Sequence, residues 1–199
     1  MRLSKVIILF LFFYTTFLPA KAKQNIDLIL NRVIKKQKSI KSARCHFVQK
    51  IQIKDENKEK IIKGNFFFLS PQFFRIDYIS PEKETLIFNG KEVYTIKNEK
   101  VTSYPKDEFI ESFFYKWGFF LFPQKIQNLA EWKKEVLNET KGGVSLKFSS
   151  YDGVDIIVLI SKQFYLPIKI SINTDLFRET IYVREFMLNK KVSKELFHL

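Results

Sequence analysis

Between Gly64 and Tyr94 the chain reads GNFFFLSPQFFRIDYISPEKETLIFNGKEVY, and this stretch limits the possible folds more than any other. Pro71 and Pro81 cannot donate to a strand ladder, so they mark connections rather than strand centres. Asn89-Gly90, set between apolar residues 86–88 and 93–96, is a two-residue hairpin signal. The stretch is therefore four short strands joined by tight turns. Phe74, Ile76 and Tyr78 alternate onto one face, opposite Phe73, Arg75 and Asp77. Phe66, Phe67, Phe68 and Leu69 place two apolar side chains on each side of their strand. A half-buried strand is polar on one side, and this one is not. Two readings fit: a core buried on both sides, or one face lining an apolar cavity for acyl chains or a similar ligand.

The flanking sequence extends the pattern. Residues 25–40 form an amphipathic helix, with Ile26, Ile29, Leu30, Val33, Ile34 and Ile40 on one stripe and Asn25 as N-cap. Ala43, Cys45, Phe47, Gln49 and Ile51 then share a strand face, opposite Arg44, His46, Val48 and Lys50. After a polar turn at 97–100 and a short strand at 101–104 the period changes. Phe109, Phe113 and Trp117 recur every four residues, as do Ile110 and Phe114, so 108–121 is an aromatic helix stopped by Pro123. It reads either as a core helix or as a lid, with Gly118 as its weak point. Alternation returns in five further strands, clearest at Val144, Leu146 and Phe148 and at Ile168, Ile170 and Ile172. The expected fold is α+β and mainly β: an antiparallel, curved sheet or barrel of about 11 strands, with helices covering one face.

Residues 1–22 read as a cleavable signal peptide. Arg2 and Lys5 precede an apolar run, and Ala20-Lys21-Ala22 is an A-x-A cleavage site. Export to the periplasm with cleavage after Ala22 is expected, leaving 23–199 as one domain. The run is short for a spanning helix, which needs about 20 residues. The formal net charge is +13, and the cations are spread rather than blocked. They suit an anionic surface or an acidic partner; no motif for nucleic acid accompanies them.

The catalytic inventory is thin. Cys45 is the single cysteine and His46 and His198 are the only histidines. Cys45 and His46 point to opposite strand faces and cannot pair. No metal-ligand spacing, G-x-S-x-G elbow or P-loop occurs. Asp77, Asp152 and Asp155 stand singly. The expectation is a non-enzyme with no catalytic residue, metal or cofactor. What the chain has instead is Phe: 22 in all, with Phe10, Phe12, Phe13 and Phe17 in the leader and most others within 66–88 and 109–122.

The order of these motifs resembles the periplasmic outer-membrane lipoprotein carrier (LolA) family. Phe47-Val48-Gln49 matches the family's Phe-x-Gln after the first helix. Gly64 to Pro71 matches a Gly-started strand ending in Pro. Phe74-Arg75-Ile76-Asp77-Tyr78 with Pro81 matches the next strand and its turn. Gly90, Lys91, Val93 and Tyr94 match a Gly-Lys hairpin leading to an aromatic. Val192 to Phe197 is similar to the family's closing strand. The resemblance implies an unclosed antiparallel β-barrel with a helical lid over its concave face. It implies a monomeric carrier that takes acylated lipoproteins from an inner-membrane ABC-type releasing complex. The carrier passes them to an outer-membrane receptor or to the membrane itself. A carrier of another lipid or glycolipid, or a lipoprotein-sensing module on the same fold, remains open. The acyl-chain cavity is then expected at Phe66, Phe68, Phe74, Ile76 and Tyr78, with Leu86, Phe88, Tyr94 and Ile96. The lid is expected at Ile110, Phe113, Phe114, Trp117 and Phe120. Two departures stand out. Ser70 replaces an Arg that in many members latches the lid, and Ile96 replaces a common aromatic.

Overall fold

The computed structural model describes residues 25–56, 58–70, 73–105, 117 and 132–199. The expected signal peptide, and the lid positions Ile110, Phe113, Phe114 and Phe120, lie outside these residues. Helix α1 (Ile26–Lys38) comes first. Strands β1 (Ser42–Ile53), β2 (Glu59–Leu69), β3 (Phe73–Ser80), β4 (Glu84–Asn89), β5 (Val93–Lys97) and β6 (Lys100–Tyr104) follow. After 105 come β7 (Lys133–Glu139), β8 (Gly143–Ser149), β9 (Asp155–Ser161), β10 (Pro167–Asn173) and β11 (Phe177–Leu188). All 11 strands form one antiparallel sheet, ordered β6-β5-β4-β3-β2-β1-β11-β10-β9-β8-β7. Each neighbouring pair except β1–β11 is a chain neighbour. Two meanders are therefore joined by the pairing of the first and last strands, and β6 and β7 remain as edges of an unclosed barrel. No described helix is long and apolar enough to cross a membrane.

The local causes are plain. Asn25 caps α1, its Oδ1 accepting from the Asp27 amide at 2.9 Å. This satisfies one of the donors that a helix start leaves open. Ile29, Leu30, Val33 and Ile34 are buried along one stripe, as the periodicity predicts. Gly64 pairs with Phe47, and a Cβ there would lie 2.5 Å from both the Asp77 carbonyl oxygen and the Phe47 ring. The ring fills the space a side chain would need, so only glycine fits. Opposite Cys45, β11 carries an extra residue between Arg184 and Met187. Glu185 takes the strain of this bulge at φ 55°.

The segment 192–197, expected as a closing strand, is instead a 3-10 turn over Lys194–Phe197. No free sheet edge lies within its reach: it follows β11, whose two sides are already paired with β1 and β10. It packs on the convex side instead. Phe197 is buried against Phe73, ring centroids 5.8 Å apart. Arg75 Nη1 donates to the Leu196 carbonyl at 3.1 Å.

Candidate functional site

The register places the expected cavity residues strand by strand. Phe66 faces Ile76 and Phe68 faces Phe74 across β2–β3. Phe74 faces Phe88, and Ile76 faces Leu86, across β3–β4. Gly64, beside Phe66 on this face, pairs with Tyr78. These seven predicted side chains share the concave face with Cys45 and Phe47 of β1, which pair with Phe66 and Gly64. Together they form an aromatic cluster that includes Val93, Ile181 and Val183.

Tyr94 and Ile96 are not part of it. Phe88 pairs with Val93 and Leu86 with Thr95, which sends Tyr94 and Ile96 to the convex face. The reason is the turn. Its two central residues are Gly90 and Lys91, closed by the bond from the Asn89 amide to the Glu92 carbonyl. A two-residue loop sets even positions of one strand opposite odd positions of the next, so the inward residue of β5 is Val93, not Tyr94. The turn is also one residue later than Asn89-Gly90 alone indicates. Asn89 serves from the side, its Oδ1 accepting from the amides of Lys91 and Glu92. Tyr94 hydroxyl bonds to the Glu92 carboxylate. Ile96 lines an outer groove beside Arg75, Asp77 and Thr85.

Trp117 is the one lid residue described. It is helical and 1% exposed. Its ring stacks on Phe66, centroids 5.0 Å apart and planes 5° from parallel, and meets Phe47 edge-on at 5.0 Å. Such pairs contribute about 0.5–1.5 kcal/mol beyond area burial. Arg75 faces away from Phe74, as alternation requires. It bonds Asp77 at 2.7 Å and the C-terminal turn, so it is not a substitute for the latch that Ser70 lacks.

Beside the cluster, Ile40, Ala43, Cys45, Phe66, Phe68 and Phe186 line a cavity of about 20 Å³. One water needs about 10–15 Å³ on this kind of measure, so the closed cavity holds roughly one water and no acyl chain. Cys45 is buried there, and desolvation pushes its thiol up to about 12. It is a small apolar filler rather than a nucleophile. His46 lies across the sheet, with its ring 3.4 Å from Glu185.

Polar groups enter the concave side at the seam between the two meanders. Gln49 Nε2 donates to Glu179 Oε1 at 2.7 Å, both residues being buried. Tyr78 is pushed up to about 12, first by burial and then by the Glu84 and Glu179 carboxylates. Sequence reasoning put Gln49 on one strand face with Cys45 and Phe47 but missed Glu179. A lone acid in a strand carries no signal of burial until its partner strand is known. Gln37, at the end of the α1 stripe, is 6% exposed, and its amide oxygen and nitrogen make no hydrogen bond among the described residues. Among the described residues no three His, Cys, Asp or Glu side chains converge as a metal site requires.

The family model for the outer membrane lipoprotein carrier protein LolA matches residues 38–113. That stretch carries β1 to β6, including the strands of Phe47, Phe66, Phe74 and Phe88. Over this stretch the chain is similar to LolA. No curated protein matches it. Solved structures share the fold. An uncharacterized conserved protein from Thermus thermophilus superposes at TM-score 0.58 and 12% identity, over 86% of this chain and 91% of that one. The Pseudomonas aeruginosa MucA/MucB complex gives 0.53 at 11%, over 86% of this chain and 59% of that one. The lipoprotein LppX of Mycobacterium tuberculosis gives 0.51 at 10%, over 85% and 99%.

Proposed function

We propose that this LolA-like protein is a non-enzymatic periplasmic carrier that shields the acyl chains of lipoproteins on its concave face. In this reading residues 1–22 direct export and are removed, and 23–199 is the carrier domain. Cargo comes from an inner-membrane ABC-type complex and goes to an outer-membrane receptor or the membrane itself. One observation carries the reading. The cluster around Phe66, Phe68, Phe74, Ile76, Tyr78, Leu86 and Phe88 is apolar, continuous and covered by the flat ring of Trp117. An apolar face of this kind is costly in water, about 25 cal/mol per Å². A cover that stays closed when the carrier is empty and yields to an acyl chain meets that cost. In this reading the cover moves to load an acyl chain, since the cavity beside the cluster measures about 20 Å³. Lid movement by residues 108–121, with Ile110, Phe113, Phe114 and Phe120 beside Trp117, belongs to the same proposal.

The experiment adds the exported, processed protein to spheroplasts bearing a labelled triacylated lipoprotein. Soluble lipoprotein in a one-to-one complex is the expected result. Absence of release by the folded protein overturns the lipoprotein reading. Native mass spectrometry of co-purified ligand then separates a carrier of another lipid from a protein-binding sensor.

A further inference from the structure

On the convex side, β1, β2, β9, β10 and β11 surround a half-open groove of about 400 Å³. This is the size of ordinary small-ligand sites, about 300–1,000 Å³. Three strands bring cations to it: Lys50 from β1, Lys169 from β10 and Arg178 from β11. Glu59 is the one carboxylate in its lining, and it is taken by Lys50 at 3.0 Å. Among the described residues no carboxylate pairs with Lys169 or Arg178. Elsewhere in this half of the sheet two lysines are matched, Lys147 to Asp155 at 2.8 Å and Lys162 to Glu139 at 2.6 Å. The two unmatched cations are nevertheless held in place. Arg178 Nε donates to Asn173 Oδ1 at 3.0 Å, which steadies the guanidinium by one edge. The Lys169 ammonium lies 5.3 Å from the centre of the Tyr182 ring. Ser171 and Thr180 hydroxyls, 3.2 Å apart, line the groove between them.

We propose that this groove binds a phosphate ester. A planar guanidinium fork and a neighbouring ammonium together match the several oxygens of a phosphate. The surrounding amides and hydroxyls suit the hydroxyl groups of a glycerol or sugar attached to it. A protein partner is the poorer fit. Protein interfaces are centred on apolar and aromatic anchors, whereas this lining is polar apart from Ile157 and the Tyr182 ring. The phosphate comes either from a soluble ester or from a phospholipid headgroup. The site lies on the face opposite the proposed acyl cavity and stands independently of it.

Two probes test the proposal with the processed protein: titration with sn-glycerol 3-phosphate, and flotation with phosphatidylglycerol vesicles. The double variant Lys169→Gln/Arg178→Gln is compared with Lys133→Gln/Lys141→Gln, which removes the same charge at exposed positions outside the groove. The groove variant is expected to bind at least about tenfold more weakly, the loss of charge-assisted hydrogen bonds, while the control matches the parent. Binding of the soluble ester assigns a free-ester site; binding of vesicles alone assigns a headgroup site. No binding of either probe by the folded parent overturns the proposal, as does an equal loss in both variants. Tighter binding of an oligo-glutamate peptide, lost in the groove variant, overturns it in favour of an acidic polypeptide. Uptake of a fluorescent fatty acid, which reads the concave face, is expected to be equal in all three proteins. Failure here and failure of the carrier reading are therefore seen separately.

Discussion

The concave face has two halves built on one ladder and filled differently. Over β8–β10 it is mainly aliphatic, with Leu146, Val158, Ile160 and Ile170 around one buried ring, Phe148, and closed by Ile29, Leu30 and Val33 of α1. Over β2–β4 it is aromatic, with Phe66, Phe74 and Phe88, and Trp117 lies on it. Branched side chains have few rotamers and interlock with a helix stripe, and here the helix is capped and runs for 13 residues. Over β2–β4 rings stack instead, with Trp117 lying flat on Phe66, centroids 5.0 Å apart. The same strand physics thus yields a helix-covered wall on one side and, in the proposed carrier, a surface with a removable cover on the other.

The widest break in that comparison comes from a charge. Val158→Glu, in the centre of the wall, is expected to abolish folding. An unpaired buried charge costs about 3–5 kcal/mol or more, a large share of the roughly 5–15 kcal/mol that holds a domain together. Phe68→Glu, at a half-buried position beside the small cavity, is expected to leave the domain folded and stop acyl-probe uptake. Circular dichroism and uptake on the same samples decide it. Unfolding of both variants would make the aromatic half ordinary core.

A smaller contrast tests the covers. Leu30→Ala is expected to cost about 2–5 kcal/mol, as core truncations do. Trp117→Ala is expected to cost less than the roughly 3–5 kcal/mol usual for a buried tryptophan, and to raise binding of a hydrophobic dye. Urea midpoints and dye fluorescence measure the two. Equal costs with unchanged dye binding would mean that Trp117 is as fixed as α1.

Much of this was legible in the sequence, for reasons that differ by region. In β2 to β4 the alternation is clean, so Phe66, Phe74 and Phe88 fall on one face as expected. The pairing of β2 with β3 and of β3 with β4 keeps even positions opposite even positions. The error begins at the first two-residue loop, where parity reverses and Val93 replaces Tyr94 inside. Register errors of this kind move a whole strand face at once. Strand β1 was legible, but its pairing with β11 was not, because that contact joins the ends of the described chain. With it went the burial of Glu179, the Glu185 bulge and the convex groove, all of which need β11 beside its partners. The closing segment misled because Val192 to Phe197 resembles the family's closing strand, while Phe197 is used as a plug under β3.

Gln37 sharpens the comparison from inside the wall. Its buried amide makes no hydrogen bond among the described residues, and leaving such a group unsatisfied costs about 1–3 kcal/mol. Gln37→Leu is expected to raise stability by about 1 kcal/mol, read as a higher urea midpoint, with uptake unchanged. Weaker uptake in this variant would move part of the binding surface into the helix-covered half.

The smallest expected effect concerns the ion pair on the back of the wall. Asp155 is held below its ordinary range by the hydrogen bond from Lys147, then by the one from Ser149. A lowered folded-state value means that the carboxylate stabilises the fold at pH above its unfolded value, about 3.9. That contribution is lost as pH falls through the folded value. The pair is partly exposed, so screening keeps it below about 1 kcal/mol. Asp155→Asn is therefore expected to lower the urea midpoint slightly at pH 7, with the gap to the parent narrowing below about pH 3.9. Acyl uptake at pH 7 should not change, because the pair braces the aliphatic half and touches nothing in the aromatic one. A loss of uptake larger than the loss of stability would show that the two halves move together, and the wall would then be part of the gate.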